Sequence, residues 1–322
     1  MERSTVIPSQ LVSLMTQPHI TDICLNGASE VFVDSGQGMQ KRESIFDTEK
    51  KFNQWILSVL GALGKSWDAR DPFVDGQLKD ELFDHRVHVV FPPASPEKTL
   101  VSIRRNSGPQ LQQMTWNEPV FSQLICCIEN SDSVLICGGT GSGKTTLLSQ
   151  LLSHIPSSQR IIALEDTPEL RPHHPHFLSL QSRPPNADGF GEITLRRLLQ
   201  QALRMRPDRI VLGECRGAEV LDLLLSLNTG HRGMAATLHA NSCRDAIARI
   251  QLLAMIAAPQ LHPKLCQKLI AGGFQWVAHL QQRCQSRQIV DLQRIEGIEG
   301  DTVLMRPMLK GKDESASFST RN

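Results

Sequence analysis

Hydrophobic patterning divides the chain into two textures. Up to residue 105 the apolar positions mostly alternate with polar ones, as in Arg86–Phe91 and Thr99–Arg105. That is the period of a half-buried strand. Thr21–Leu25 and Glu30–Asp34 are strand-like too and are joined across Asn26-Gly27, a dipeptide that favours a hairpin turn because it tolerates positive φ. Phe73–Leu78 is a further extended run, and Pro92 and Pro93 end the strand before them, since proline offers no N–H to a ladder. Glu49–Leu63 sets Phe52, Trp55, Ile56, Val59, Leu60 and Leu63 at helical spacing and meets Gly64, a helix followed by its stop signal. Ser9–Met15 predicts a short amphipathic helix. Residues 1–105 therefore read as an α+β module with an antiparallel sheet. Residues 106–113 are polar, contain Gly108-Pro109 and read as a linker.

From residue 114 the texture changes. Val134–Cys137, Arg160–Leu164, Arg209–Gly213 and Gly233–Leu238 are short, mostly apolar strands. Helical stretches accompany them: Val120–Glu129, a segment running to His154, Thr194–Met205 and Ala218–Leu227. In Thr194–Met205 the residues Leu195, Leu198, Leu199, Ala202 and Leu203 share one face. Strands alternating with helices over short connections predict a parallel sheet covered on both sides. Cys243–Ala258 and Pro263–Ala271 are further helices, and Gln275–Leu280, Gln288–Arg294 and Thr302–Met305 read as a small strand set. Residues 114–309 thus form an α/β domain, and the polar residues 310–322 read as a disordered tail. The chain shows no internal repeat.

The strand Val134–Cys137 runs into a glycine-rich turn and then a helical start. Within Gly138, Gly139, Thr140, Gly141, Ser142, Gly143, Lys144, Thr145 and Thr146 lies G-x-x-x-x-G-K-[ST], the phosphate-binding P-loop. Glycines let successive backbone N–H groups wrap an anion, and the helix that follows aims its positive dipole end at the same place. Lys144 then serves the β- and γ-phosphates, and the Thr145 hydroxyl serves Mg²⁺. Hydrolysis also needs a carboxylate at a neighbouring strand tip, the edge of a parallel sheet where ligands bind. Glu165 and Asp166 follow one strand, and Glu214 follows another in the manner of a Walker B acid. His239 stands at a third strand tip, where it can sense the γ-phosphate, bridge to Glu214, or simply pack. Arg204, Arg206, Arg209 and Arg216, with Arg86, Arg104 and Arg105 of the first region, are the arginines available to meet developing phosphate charge.

Composition changes the picture only slightly. Hydrophobic content of 40% and charged content of 21% are those of an ordinary globular protein. A net charge of +1 disfavours a strong nucleic-acid footprint or a polybasic membrane anchor, so no direct nucleic-acid partner is expected. Cys24, Cys126, Cys127, Cys137, Cys215, Cys243, Cys266 and Cys284 contain no C-x-x-C pair and read as buried, reduced thiols of a cytosolic protein. Residues 1–10 lack a signal-peptide core and no apolar run is long enough to span a bilayer. Work at a membrane would go through docking on another component.

Four segments together resemble one family. They are the P-loop Gly138–Thr146; Leu164–Leu170, similar to its Asp box; Leu203–Glu219, similar to its Walker B region; and Asn228–His231, Thr237–Ser242 and Arg244–Ala246, similar to its His box. This set marks the type II/type IV secretion ATPase superfamily. Arg183–Asn186 and Asn228–His231 point to its CpaF/TadA branch, the Flp/Tad pilus motors. Asp22–Gly27, Asp75-Gly76, Arg86–His88 and Val101–Arg104 resemble the N-terminal domain of that branch, so the likeness spans residues 10–305.

The resemblance implies a RecA-like P-loop NTPase domain preceded by a smaller α+β, PAS-like domain. It also implies a homo-hexamer that uses ATP with Mg²⁺ and releases ADP. The ring would be cytoplasmic and peripheral at the inner membrane, acting on a platform protein. Glu214 would be the Walker B acid and a metal ligand with Thr145; Glu165 would polarise water; His239 would couple nucleotide state to the fold. Arg86 and Arg104 match N-domain arginines that move onto the γ-phosphate. The chain departs from the branch in three ways. It has almost none of the usual N-terminal extension, it carries Arg232-Gly-Met234 after His231, and it lacks the four-cysteine insert of the GspE type. A conjugation or type IV secretion ATPase shares every one of these boxes. A non-hydrolysing ring subunit and a nucleic-acid motor are readings of other classes.

Overall fold

A computed structural model describes residues 7–35, 38–79, 84–105, 115–186, 189–283 and 286–310. The expected linker over 106–113 and residues 311–322 of the expected tail lie outside the described residues, whereas Lys310, counted in that tail, ends the last strand opposite Asp291. The chain forms two compact units, Met1–Gln110 and Leu111–Asn322.

In the first unit, six antiparallel strands lie in the order β3-β2-β1-β6-β5-β4. They are β1 (Asp22–Asn26), β2 (Glu30–Asp34), β3 (Met39–Arg42), β4 (Phe73–Lys79), β5 (Asp84–Val90) and β6 (Leu100–Arg105). The alternation seen in the sequence is realised: Ile23, Leu25, Val31, Val33, Val87, Val89, Val101 and Ile103 are buried together, because successive side chains of a strand take opposite faces. Helices α1 (Ser9–Thr16) and α2 (Glu49–Leu63) complete that core. The hydroxyl of Thr48 caps α2 by accepting from the Lys51 N–H. Gly64 ends it at φ +63°, and the Lys65 N–H returns to the Leu60 carbonyl, a glycine-dependent stop.

In the second unit, eight strands lie in the order β14-β13-β12-β7-β11-β10-β8-β9. They are β7 (Val134–Gly138), β8 (Ile161–Glu165), β9 (Phe177–Gln181), β10 (Arg209–Leu212), β11 (Ala235–Leu238), β12 (Trp276–Arg283), β13 (Ser286–Glu299) and β14 (Thr302–Lys310). β12, β7, β11, β10, β8 and β9 run parallel, and β13 and β14 add antiparallel pairs. Every residue of β7, β8, β10 and β11 is buried. Alternate side chains feed two cores. Leu135, Cys137, Ile162, Leu164, Ile210 and Leu212 meet α5 (Leu195–Ala202), α6 (Glu219–Asn228), α7 (Cys243–Ala257) and α8 (Pro263–Gly273). Val134, Ile136, Ile161, Ala163 and Val211 meet α3 (Val120–Glu129) and α4 (Lys144–Leu152). The final strands are not a separate set. β12 pairs with β7 directly, Val277 beside Leu135, and so extends the central sheet.

Two sequence expectations need correction. β3 and β9 carry no element in the sequence reading; both lie at sheet edges. Cys126 is exposed and Cys24 half-buried, not buried as expected, while Cys127, Cys137, Cys215, Cys243 and Cys266 are buried and free. Cys284 lies outside the described residues.

Candidate functional site

The carboxyl ends of β7, β8, β10 and β11 carry the candidate site residues of the second unit. β7 stops at Gly138, and its backbone turns at φ +156° into the loop that starts α4. A Cβ on Gly138 would lie 2.5 Å from the Leu280 carbonyl oxygen and 2.6 Å from Ser142 Oγ, so the first glycine of the motif is required by crowding as well as by φ. Gly143 caps α4 from the left-handed region. The buried Ser142 hydroxyl donates to the Gly139 carbonyl at 2.8 Å and braces the loop from within. Gly139, Thr140 and Gly141 face outward. Arg287, on β13, donates from Nε to the Gly141 carbonyl at 2.8 Å and holds the loop tip from a strand that the motif reading left out.

Lys144 opens α4 and is buried. Its ammonium donates to the Gly138 and Gly139 carbonyls at 2.9 and 2.8 Å and approaches His239 Nδ1 at 3.5 Å. Burial pulls its pKa below the usual lysine range, an effect the Glu214 charge opposes. An ammonium can only donate, so Nδ1 of His239 accepts and the ring proton sits on Nε2. Nε2 lies 3.1 Å from Glu214 Oε1 and donates to it. Burial first, and then the Lys144 charge, lowers the His239 pKa, which keeps the imidazole neutral in this chain of contacts. Arg216 donates to the other oxygen of Glu214 and stands 3.7 Å from Asp166 Oδ2. Asp166 Oδ1 accepts from the Ser182 hydroxyl at 2.6 Å.

Lys144, His239, Glu214 and Asp166 are thus joined into one polar chain, with Arg216 as its most exposed link. Arg209, another of the sequence candidates, sits apart from it. Its buried guanidinium donates to Gln159 Oε1 at 2.7 Å and to the Ile128 carbonyl at 3.0 Å, at the start of β10 and not at its tip.

Glu165 ends β8 at 2% exposure. Its Oε1 accepts from the Glu169 and Leu170 N–H groups, both at 2.8 Å, and its Oε2 accepts from the Ser179 hydroxyl at 2.6 Å. Burial raises its pKa, and these three hydrogen bonds work against the rise. Glu165 therefore shapes the loop that carries Glu169. Glu169 faces the phosphate loop: Thr145 Oγ1 donates to its Oε2 at 3.4 Å. The Asp-box-like segment Leu164–Leu170 includes Glu169 but gives it no role; its spacing four positions after Glu165 is the available signal.

Arg86 and Arg104 belong to the first unit, as neighbours across β5 and β6 on the face turned away from its core. Arg86 makes a two-pronged contact with Asp75 at 3.1 and 2.8 Å, with His88 Nδ1 3.6 Å from the same carboxylate. Arg104 Nε donates to Asp22 Oδ1 at 2.7 Å. The single-pronged, partly exposed Arg104–Asp22 pair is of the kind that contributes about 0–1 kcal/mol, whereas the two-pronged Arg86–Asp75 geometry is the stronger kind.

Thr145, Glu169 and Glu214 are hard oxygen donors, the type Mg²⁺ takes. Among the described residues no three His, Cys, Asp or Glu side chains converge on a metal position by themselves. No helix among the described residues is long and apolar enough to cross a membrane.

Residues 8–302 match the family described as type II/IV secretion system protein. A Mycobacterium tuberculosis protein provisionally named for conjugal transfer is 36% identical over 300 residues, covering 90% of this chain and 85% of its own length. Protein VirB11 of Agrobacterium fabrum is 30% identical over 271 residues, covering 73% of this chain and 76% of its own. Among solved structures, the pilus retraction motor PilT with bound ADP superposes with a TM-score of 0.62 at 18% identity, over 94% of this chain and 83% of that one. This last likeness bears on the fold, an N-terminal domain followed by a RecA-like one. With a family match across nearly the whole length and relatives at 30% and 36% identity, the chain belongs to the type II/IV secretion system protein family.

Proposed function

We propose that this chain is the ATP-hydrolysing subunit of a secretion motor, converting ATP and water to ADP and phosphate and coupling that step to macromolecule transport. The observation that carries the reading is the contact chain from Lys144 through His239 to Glu214 at the carboxyl edge of the parallel strands. It ties the phosphate-binding lysine to the strand-tip carboxylate that hydrolysis needs. The neutral His239 lets loss of the Lys144 contact, when the ammonium turns to phosphate, be felt at Glu214. Thr145, Glu169 and Glu214 would hold Mg²⁺ together with phosphate oxygens, and the ion would neutralise charge on the β- and γ-phosphates. Glu165, which the resemblance casts as a water-polarising acid, would here hold the loop that presents the Glu169 carboxylate to Thr145. Arg86 and Arg104 would supply positive charge to the γ-phosphate after leaving Asp75 and Asp22.

The working unit we propose is a homo-hexameric ring docked peripherally on an inner-membrane platform protein. Arg183–Asn186 and Asn228–His231 favour a Tad/Flp-type pilus machine. The names of the relatives favour a second reading, a conjugation or type IV secretion motor. Co-purification of the platform protein, followed by its identification, separates the two.

Hydrolysis is tested by Glu214→Gln and Lys144→Ala. Glu214→Gln is expected to bind ATP like the wild type and to lose turnover by about 10²-fold or more, as when a positioned catalytic acid is removed. Lys144→Ala is expected to lose nucleotide binding. Wild-type turnover in Glu214→Gln would remove Glu214 from the reaction.

A further inference from the structure

Glu219 closes the Walker B-like segment Leu203–Glu219, yet the motif gives it no role. Glu219, the first residue of α6, is 6% exposed. Its Oε1 accepts two backbone N–H groups, those of Arg216 at 2.6 Å and Gly217 at 2.7 Å. A Cβ on Gly217 would lie 3.1 Å from Glu219 Oε2, so the loop rests directly on this carboxylate. The loop is held from its other side as well. The Cys215 N–H donates to the Thr237 carbonyl at 2.8 Å, and the Thr237 hydroxyl donates to the Gly213 carbonyl.

This braced loop presents the Arg216 side chain, which is 55% exposed. A long, exposed side chain ordinarily samples many rotamers. Here its guanidinium lies between carboxylates at the tips of two adjacent strands, Glu214 after β10 and Asp166 after β8. Both oxygens of Glu214 are then taken, one by Arg216 and one by His239. A carboxylate gripped on both oxygens keeps a single orientation, and charge-assisted bonds of this kind are the stronger ones.

We propose that Glu219 is a positioning residue that acts through Arg216 on Glu214. Its carboxylate fixes the backbone at 215–217, and the guanidinium so placed holds Glu214 opposite His239. The inference rests on the reading of Glu214 as the acid of ATP hydrolysis. A residue that only starts α6 would affect stability independently of Arg216.

A double-mutant cycle separates the two roles. The variants are Glu219→Asp, which keeps the charge but withdraws it by a methylene, Glu219→Ala, Arg216→Ala, and each Glu219 variant combined with Arg216→Ala. In the otherwise wild-type chain, Glu219→Asp and Arg216→Ala are each expected to lower kcat by about ten-fold or more while ATP affinity stays within about two-fold, the pattern of lost orientation. In the Arg216→Ala background, replacing Glu219 is expected to slow turnover no further. Losses that multiply, or a wild-type kcat in Glu219→Asp, overturn the inference. Should Glu219→Ala fail to fold, the aspartate variant decides alone. If the unmodified protein shows no turnover, it is the ATPase reading that falls. Amide hydrogen exchange at 215–217 then tests Glu219: faster exchange in Glu219→Asp upholds its hold on the loop, and unchanged protection overturns it.

Discussion

Glu165 and Glu169 lie on one short segment yet face different surroundings. Glu165 is buried on three hydrogen bonds, whereas Glu169 reaches Thr145. Different responses to neutralisation follow. Glu169→Gln is expected to weaken Mg²⁺-dependent nucleotide binding, read as a rise in the Mg²⁺ concentration needed for half-maximal ATP binding. Glu165→Gln should change stability. Its raised pKa means that the folded protein holds the proton more tightly than the unfolded chain. The stabilisation from the protonated form is complete below the unfolded value of about 4.3 and is lost as pH rises through the folded value. Above that window the wild type carries a buried charge that glutamine lacks, while the amide oxygen still accepts from the Glu169 and Leu170 N–H groups. Glu165→Gln should therefore gain on the wild type as pH rises from acid to neutral, measured by thermal unfolding along a pH series. A difference that shrinks with rising pH would contradict the burial argument. The motif residues were legible in the sequence because phosphate binding demands fixed residue types at fixed spacing. Glu169 and Arg287 were given no role, and Arg216 was only one of several arginines offered to the phosphate charge, since their placement comes from where the chain folds back: four residues along a loop, across two strand tips, and from β13 to the phosphate loop.

Elements were legible wherever burial imposes a period. The helix Glu49–Leu63 and the strands Val134–Gly138 and Ile161–Glu165 stand where their apolar residues placed them. Edge strands were not: every residue of β3 is exposed and β9 is half-covered, so neither carries the alternation that burial enforces. A period also names no partner. β12 to β14 were readable as strands, but their attachment beside β7 depends on long-range pairing. The segment after His231 can be tested at this scale. Gly233 precedes β11 at φ +71°, and a Cβ there would lie 1.7 Å from Arg209 Nη1. Arg209 cannot retreat without leaving Ile128 and Gln159. Gly233→Ala is expected to cost about 2 kcal/mol or more, combining positive-φ strain with displacement of a buried hydrogen-bonded group. Chemical denaturation measures this, and a loss under about 0.5 kcal/mol, the range of a neutral surface change, would show that the loop yields freely.

At the scale of the whole chain, the residues proposed to act on the nucleotide divide between the two compact units. Lys144, Thr145, Glu169, Glu214, Arg216 and His239 all lie in Leu111–Asn322, and Arg86 and Arg104 in Met1–Gln110. Each unit has its own core, so each is a candidate to fold alone. Among the described residues, the contacts that brace the phosphate cradle, Ser142 to Gly139 and Lys144 to Gly138 and Gly139, are made within the second unit. A fragment comprising residues 111–322 is therefore expected to bind ADP with an affinity within about ten-fold of the full chain, that is, within about 1.4 kcal/mol. Turnover is a different matter, because a positively charged group delivered to the γ-phosphate is worth about 10³–10⁵ in rate in P-loop enzymes. The fragment should hydrolyse ATP far more slowly than the full chain. Arg104→Ala in the full chain should reproduce the defect in part, slowing hydrolysis with ADP affinity unchanged. Isothermal titration with ADP and a phosphate-release assay on the three proteins give both quantities. If the fragment turned over like the full chain, Arg86 and Arg104 would have no part in the chemistry. If Arg104→Ala lost ADP binding, its role would be to hold the nucleotide and not to meet the charge that develops as the γ-phosphate leaves.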